Sequence, residues 1–416
     1  MAERILTFPA EATVGRSRVA AGWRRLPVAV RITAIYVAAR AVTVGFILLA
    51  GAMAPPDGKL GSGAPLADFA LAWDAQWYWL VAVDGYPVDL PRDAAGHVTE
   101  NAWAFMPVYA YLSLAVGAVL GGGAWGAGAF AVSFVSGWLA CLVLHRLLRE
   151  RQGEREAMWA VALFACGPLA GLFHAGYAES LFLLLLFLAL LCLTRRRWGW
   201  LYLLVPVMGY TRPGILAFAL LLGLYGIMRW VRRRADPLAG REIVHIVALG
   251  VIATAVGFSW QALAGVVTGE PGAYLDTELA WRRAWVGTEH FLPLEGWFQA
   301  AGVWFGVWGL PAWLAPVAVV ALVVALGALL LWPAPVRRTD PIVRLWSASY
   351  LVYLLLVFFP QSSVFRLLVP LSPLWGAVAA VRSRWVRIGA LALCLLGQWW
   401  WIWNMYGQGS TFWQIP

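Results

Sequence analysis

Long apolar runs joined by short, arginine-rich connections leave this chain one solvent in which all of them can be accommodated, the lipid bilayer. The runs read Ile32 to Ala54, Phe105 to Leu120, Phe130 to Leu148, Met158 to Phe173, Leu181 to Leu193, Trp198 to Tyr210, Ile215 to Trp230, Ile243 to Val267, Val303 to Trp332, Ile342 to Phe359, Val364 to Ala380 and Val386 to Trp403. A helix needs about 20 apolar residues to cross the hydrocarbon core, and backbone in lipid must satisfy its own hydrogen bonds. The expected fold is therefore all-α and polytopic. Of the 416 residues 12% are charged, against about 25% in a soluble domain, which excludes an ordinary soluble enzyme.

The net charge of +10 is almost wholly arginine, because Lys59 is the only lysine. In such a chain, arginine clusters report orientation and contact with anionic headgroups, so membrane lipids are expected partners and nucleic acid is not. Clusters occur at Arg146 to Arg155, Arg195 to Arg197, Arg229 to Arg241, Arg337 to Arg344 and Arg382 to Arg387, besides Arg16, Arg18, Arg24, Arg25 and Arg31. All can be cytoplasmic if Phe105 to Leu148 crosses once in net terms, with Phe105 to Leu120 a shallow or re-entrant helix on the outer side. That gives about eleven crossings with the amino terminus in and the carboxyl terminus out. Trp198 to Tyr210 reaches only about 20 Å and should be short or broken. The first run is too long for a signal peptide and reads as a retained anchor.

The chain is read as a single transmembrane domain, residues 1–416, with two large outer loops at 55–109 and 268–299. The first holds seven of the 21 acidic residues: Asp57, Asp68, Asp74, Asp84, Asp89, Asp93 and Glu100. Within it Leu66, Phe69, Trp73, Trp77, Leu80 and Val81 recur at spacings of three and four, predicting an amphipathic helix in the membrane interface. Asp74 and Tyr78, one turn apart beside the tryptophans, would hold a carboxylate at the mouth of a membrane cavity. The same outer face receives His174 and Glu179, and also Arg212 and Arg366, lone arginines at the ends of apolar runs. A guanidinium at such depth needs a partner, and a lipid phosphate fits its bidentate fork. A snorkelling arginine and a helix-capping glutamate are the alternatives left open for these positions. Cys141, Cys166, Cys192 and Cys394 lack metal spacing, and no phosphate loop, HExxH or CxxC occurs, so neither metal nor cofactor is expected.

In order along the chain, Trp73-Asp74-Ala75 with Asp84-Gly85-Tyr86, Phe105-Met106-Pro107-Val108-Tyr109, Tyr177-Ala178-Glu179-Ser180-Leu181-Phe182, Thr211-Arg212-Pro213-Gly214 and Phe365-Arg366-Leu367-Leu368-Val369-Pro370 assemble into a pattern. It resembles the PIG-V-like mannosyltransferases of the glycosylphosphatidylinositol pathway and their bacterial relatives, in the GT-C superfamily of membrane glycosyltransferases. The resemblance implies a polyprenyl-phosphate mannose donor, a glycolipid or glycan acceptor, inverting transfer on the extracytoplasmic side of the cell membrane, and Asp74 as catalytic aspartate. Arg366, Arg212 and His174 would then serve the donor phosphate, and Trp73, Trp77, Tyr78, Glu100, Tyr109, Tyr177 and Glu179 the substrates. A lipid or glycolipid transporter, or flippase, would also be polytopic with broken helices; it would bind such a lipid without releasing its sugar.

Overall fold

The computed structural model describes residues 22–23, 25–120, 124–409 and 416. Arg16, Arg18, Arg24 and the glycines 121–123 lie outside the described residues. Among the described residues the chain is helices, turns and loops, with an isolated antiparallel bridge between Arg92 and Val98. The helices are α1 (Val28–Met53), α2 (Leu66–Leu71), α3 (Asp74–Val83), α4 (Pro107–Leu120), α5 (Trp125–Gln152), α6 (Glu154–Ala165), α7 (Glu179–Thr194), α8 (Trp198–Gly209), α9 (Ile215–Val231), α10 (Gly240–Thr268), α11 (Ala273–Val286), α12 (Glu295–Val307), α13 (Leu314–Leu331), α14 (Pro341–Val357) and α15 (Arg384–Ile402), with shorter helical pieces between.

Among the described residues, five helical segments are long and apolar enough to cross a membrane: Val28–Met53, Trp125–Gln152, Gly240–Thr268, Leu314–Leu331 and Arg384–Gln408. This corrects the sequence count of about eleven spans. Six further apolar helices are shorter, 10–17 residues each. Proline explains part of the shortening. Pro206 lies inside α8, and Pro370 and Pro373 divide the expected run 364–380 into Val364–Leu367, Val369–Leu374 and Trp375–Ala379. The run 303–332 likewise divides into α12 and α13 around Pro311. Outward faces stay apolar, as at Val320, Val324 and Leu331 of α13, a surface that suits lipid better than water.

Ion pairs sort the bundle into two ends. Arg31 at the start of α1 pairs with Glu154 after α5, Glu150 with Arg195, Arg196 with Asp236 and Glu242, and Arg151 with Asp340. The arginine-rich connections around these residues therefore meet at one end. Helix α1 runs from there toward the other end and α5 returns antiparallel to it, with the Tyr36 hydroxyl donating to Phe134 O and Trp138 Nε1 to Thr33 Oγ1. Helix α4 folds back along the first half of α5. A Cβ on Gly128 would lie 1.9 Å from Ser113 O, so the two backbones can approach only because glycine is there.

Candidate active site

At the end opposite the arginine clusters, the expected single interfacial helix is interrupted. Ala72 is extended and Trp73 sits at φ 57°, so α2 stops and α3 restarts at Asp74. Positive φ on a bulky residue is strained backbone. It is held here by Trp73 Nε1 donating to Met405 O at 3.0 Å, with the Lys59 ammonium 4.1 Å above the indole. The consequence is that Asp74 opens a helix, where its charge suits the dipole. Its backbone N–H also points at the Tyr177 hydroxyl, 3.3 Å away.

Glu179 likewise opens α7, after a loop that approaches α2 and α3 closely. Gly176 N–H donates to Ala70 O at 2.7 Å, and a Cβ there would meet Ala70 O at 3.1 Å and the Ala75 methyl at 3.2 Å. Arg212 follows α8, and Gly214 at φ 133° reverses the chain directly after it. Arg366 lies on the short helix Val364–Leu367. Helix α14 anchors that broken segment, through the Tyr350 hydroxyl to Leu367 O at 2.8 Å and Trp346 Nε1 to Pro370 O at 2.9 Å.

These residues, distant in sequence, form one buried quartet. Arg366 Nη1 donates to Asp74 Oδ2, while Arg366 Nε and Arg212 Nη2 each lie 3.4 Å from Glu179 Oε1. The Glu179 and Arg212 side chains are 4% and 7% exposed, those of Arg366 and Asp74 13% and 23%. Asp74 is thus the carboxylate nearest to water. Its carboxyl is pushed above the usual range, first by burial, with Arg366 pulling the other way. Burial also opposes the charge on Arg366, but Asp74 and Glu179 more than offset it. The Arg366 guanidinium rides 5.2 Å over the Tyr177 ring. Among the described residues, Arg212 Nη1 is buried without a hydrogen-bond partner, an unspent donor on one of the two guanidinium groups. A buried donor left so is costly, and an anion would satisfy it.

The other expected site residues divide. Tyr78 is buried in the field of Glu179 and Asp74. Trp77 stacks on Phe105, rings 5.6 Å apart, at the edge of the same site. Glu100 is exposed, and its carboxyl is raised by burial and then by Asp74. Two others lie outside the quartet. His174 sits between Phe130 and Phe134 with Nδ1 3.5 Å from Arg40 Nη1; burial and that cation lower it to about 3. Tyr109 is fully buried behind Tyr78, rings 5.1 Å apart, its hydroxyl 2.8 Å from Ser133 Oγ and donating to Ala129 O at 3.0 Å. Sequence reading missed Tyr406 and Tyr350, which lie in the field of the quartet, and Glu278 with Tyr274 on α11. The last two are spaced one helical turn apart, a signal hidden inside a segment read only as a polar loop.

Among the described residues no three His, Cys, Asp or Glu come together as a metal-binding group; arginine supplies the cationic charge. An apolar groove of about 790 Å³ lies between α9 and α10, lined by residues such as Leu222, Trp230, Ile246 and Val251, and includes no member of the quartet.

No protein-family model and no curated protein matches the chain. Among solved structures it is similar to ArnT from Cupriavidus metallidurans bound to undecaprenyl phosphate, at 17% identity and TM-score 0.45, over 86% of this chain and 62% of that one. It is also similar to an Archaeoglobus fulgidus oligosaccharyltransferase in complex with zinc and sulfate, at 15% identity and TM-score 0.42, over 89% of this chain and 52% of that one. The chain thus spans less than two thirds of either. At scores this low neither likeness decides the fold or the reaction.

Proposed function

We propose that the protein is a multi-pass membrane glycosyltransferase of GT-C type that moves a sugar from a polyprenyl-phosphate donor to an acceptor hydroxyl, with inversion. The observation that carries this reading is the buried quartet, in which Arg366 is paired directly to Asp74. Two acids and two arginines are formally neutral, so a lipid phosphate can enter only by competing with a carboxylate for a guanidinium. Asp74 is the exchangeable one, because it is the more exposed carboxylate and its ionised form is already disfavoured by burial. Arrival of the donor phosphate at Arg366 and at the spare Nη1 of Arg212 frees Asp74 and raises its proton affinity. The base is then unmasked only when donor is present.

In the transfer step the acceptor oxygen bonds to the anomeric carbon from the face opposite the phosphate, while its proton passes to Asp74. The anomeric carbon–oxygen bond to phosphate breaks, and its electron pair leaves on polyprenyl phosphate, held by the arginines. The lipid delivers an activated sugar, so no nucleotide or cofactor enters. Mannose as the sugar, and a glycolipid or glycan as the acceptor, follow from the motif resemblance. With the arginine-rich end cytoplasmic, the quartet faces the extracytoplasmic side of the cell membrane, and the six shorter apolar helices join the five long ones as membrane elements.

The test is transfer from radiolabelled decaprenyl-phosphate mannose by the purified chain in nanodiscs. Release of polyprenyl phosphate with matching label in a second product supports the reading. Binding and exchange of the intact donor between leaflets, with no release, supports a transporter and sinks it.

A further inference from the structure

Helix α11 is clasped over the first loop. Thr277 Oγ1 accepts from Asn101 Nδ2 at 2.8 Å, Arg283 donates to Val98 O at 2.9 Å, and the Trp281 ring meets Trp77 and Phe105 edge-on at 6.1 Å each. Since α11 turns 100° per residue, Tyr274, Glu278 and Trp281 share one face. Trp281 fixes where that face points, toward Trp77, which lies one turn after Asp74 on α3. The Tyr274 hydroxyl and the Glu278 carboxyl hydrogen-bond to each other, and Glu278 lies within the electrostatic reach of Asp74. From α14, Tyr353 faces it as well. Glu278 is exposed on α11, and desolvation by the surrounding protein is the largest influence on its carboxyl, raising it to about 7.

Charge divides the surroundings of Asp74. On the far side of Asp74 stand Arg212 and Arg366; on the near side stand Glu278 and Glu100 with half-buried indoles. The near side repels phosphate. It suits a neutral polyol, whose ring carbons pack on aromatic faces while its hydroxyls bond to carboxyl and phenol.

Resting on the transfer reading, we propose that α11 carries the acceptor subsite, with Glu278 and Tyr274 binding hydroxyls of an acceptor sugar that packs against Trp281 and Trp77. At neutral pH Glu278 is part protonated, so it both donates and accepts, and acceptor binding changes through pH 7.

The kinetic test uses decaprenyl-phosphate mannose as donor and octyl α-mannoside as acceptor. Glu278→Gln should raise acceptor KM about tenfold and Tyr274→Phe about threefold, each as a lost hydrogen bond. Donor KM should stay within about twofold of wild type, because no phosphate contact is touched. The pH dependence of acceptor KM near 7 should vanish in Glu278→Gln. Wild-type acceptor KM and pH profile in both variants overturn the subsite while leaving the transfer reading intact; no donor consumption by wild type overturns the transfer reading instead. A second arm is independent of turnover: dicyclohexylcarbodiimide, which attacks protonated carboxyls, should label Glu278 in wild type with a midpoint near pH 7. Methyl α-mannoside should block that labelling and inorganic phosphate should not. Labelling indifferent to the mannoside, or blocked by phosphate, overturns the subsite whatever the kinetics give.

Discussion

Both ends of the bundle are tied by arginine and carboxylate, under opposite dielectric conditions. At the arginine-rich end the pairs are mostly wet: Arg195 and Glu150 meet at 2.5 Å with side chains 35% and 45% exposed, and Arg196 and Asp236 at 2.5 Å with 39% and 47%. At the other end Glu179 and Arg212 are nearly sealed. Exposed pairs contribute little because water and salt compete for each charge. A buried group, by contrast, cannot lose one member without leaving an uncompensated charge. The wet end can orient the chain without storing energy, whereas the dry end stores electrostatic energy that a ligand can redirect. Proximity alone would not have separated them, since Glu179 and Arg212, at 3.4 Å, are further apart than either wet pair.

The largest break in the comparison is expected at Asp74. Asp74→Asn keeps shape and hydrogen bonds but cannot take a proton, so turnover should fall by about two to four orders of magnitude with donor binding retained. Wild-type turnover would send the search for the base to Glu100 or Glu278. The pH profile carries the same information. On the proposed reading Asp74 acts as carboxylate, and burial raises its pKa, so activity should be present above that raised value and fall as pH drops through it. The acid limb should therefore lie above the usual carboxylate range, and Asp74→Glu should shift it.

Glu179 tests the dry end directly. It bridges Arg212 and Arg366, each at 3.4 Å, and its removal brings two buried guanidinium groups face to face. Glu179→Ala should cost about 3–5 kcal/mol of stability, read as thermal unfolding in detergent. Next in size is Arg366→Ala, expected to weaken donor use by about one to two orders of magnitude, the worth of a charge-assisted contact. Lysine should restore only part of it, lacking the planar fork. A paired titration of donor and acceptor checks this: an unchanged donor curve with a shifted acceptor curve would move Arg366 to the acceptor side.

How far the sequence reached follows from what kind of signal each feature leaves. Helical class, lipid as solvent and the grouping of arginine connections are set by composition and period, and the chain spells those out. Asp74, Glu179, Arg212 and Arg366 stood out because charges beside apolar runs are conspicuous. That Arg366 pairs with Asp74, 292 positions away, was not legible, since tertiary packing alone brings them together. That His174 meets Arg40 was not legible for the same reason: this partner lies within α1 and leaves no local mark. Helix lengths failed where apolar composition continues through a break, as at Trp73, whose positive φ depends on Met405 and Lys59 from elsewhere in the chain. Glu278 was hidden by the opposite effect, a polar segment in which one helical face is selected only by what Trp281 touches.

The smallest expected effect is the one that would damage the comparison most if it came out large. Arg195 also donates through Nε to Glu150 Oε1, at 3.1 Å, so by geometry this is among the better pairs in the molecule. If geometry ruled, its loss should rival that of Glu179. If exposure rules, Glu150→Ala should cost no more than about 1 kcal/mol, and Arg195→Ala a similar amount. The coupling energy from the double-mutant cycle should then be about 0.2–1 kcal/mol and should shrink as salt rises and the screening length falls from about 10 Å at 0.1 M to about 3 Å at 1 M. The same cycle on Glu179 and Arg212 should be several times larger and nearly indifferent to salt, because ions do not reach a pair that is 4% and 7% exposed. A salt-insensitive coupling at Glu150 and Arg195 would mean that the arginine-rich end is sealed in the membrane-bound protein by headgroups. The two ends would then differ in partner, lipid at one and protein at the other, and no longer in dielectric.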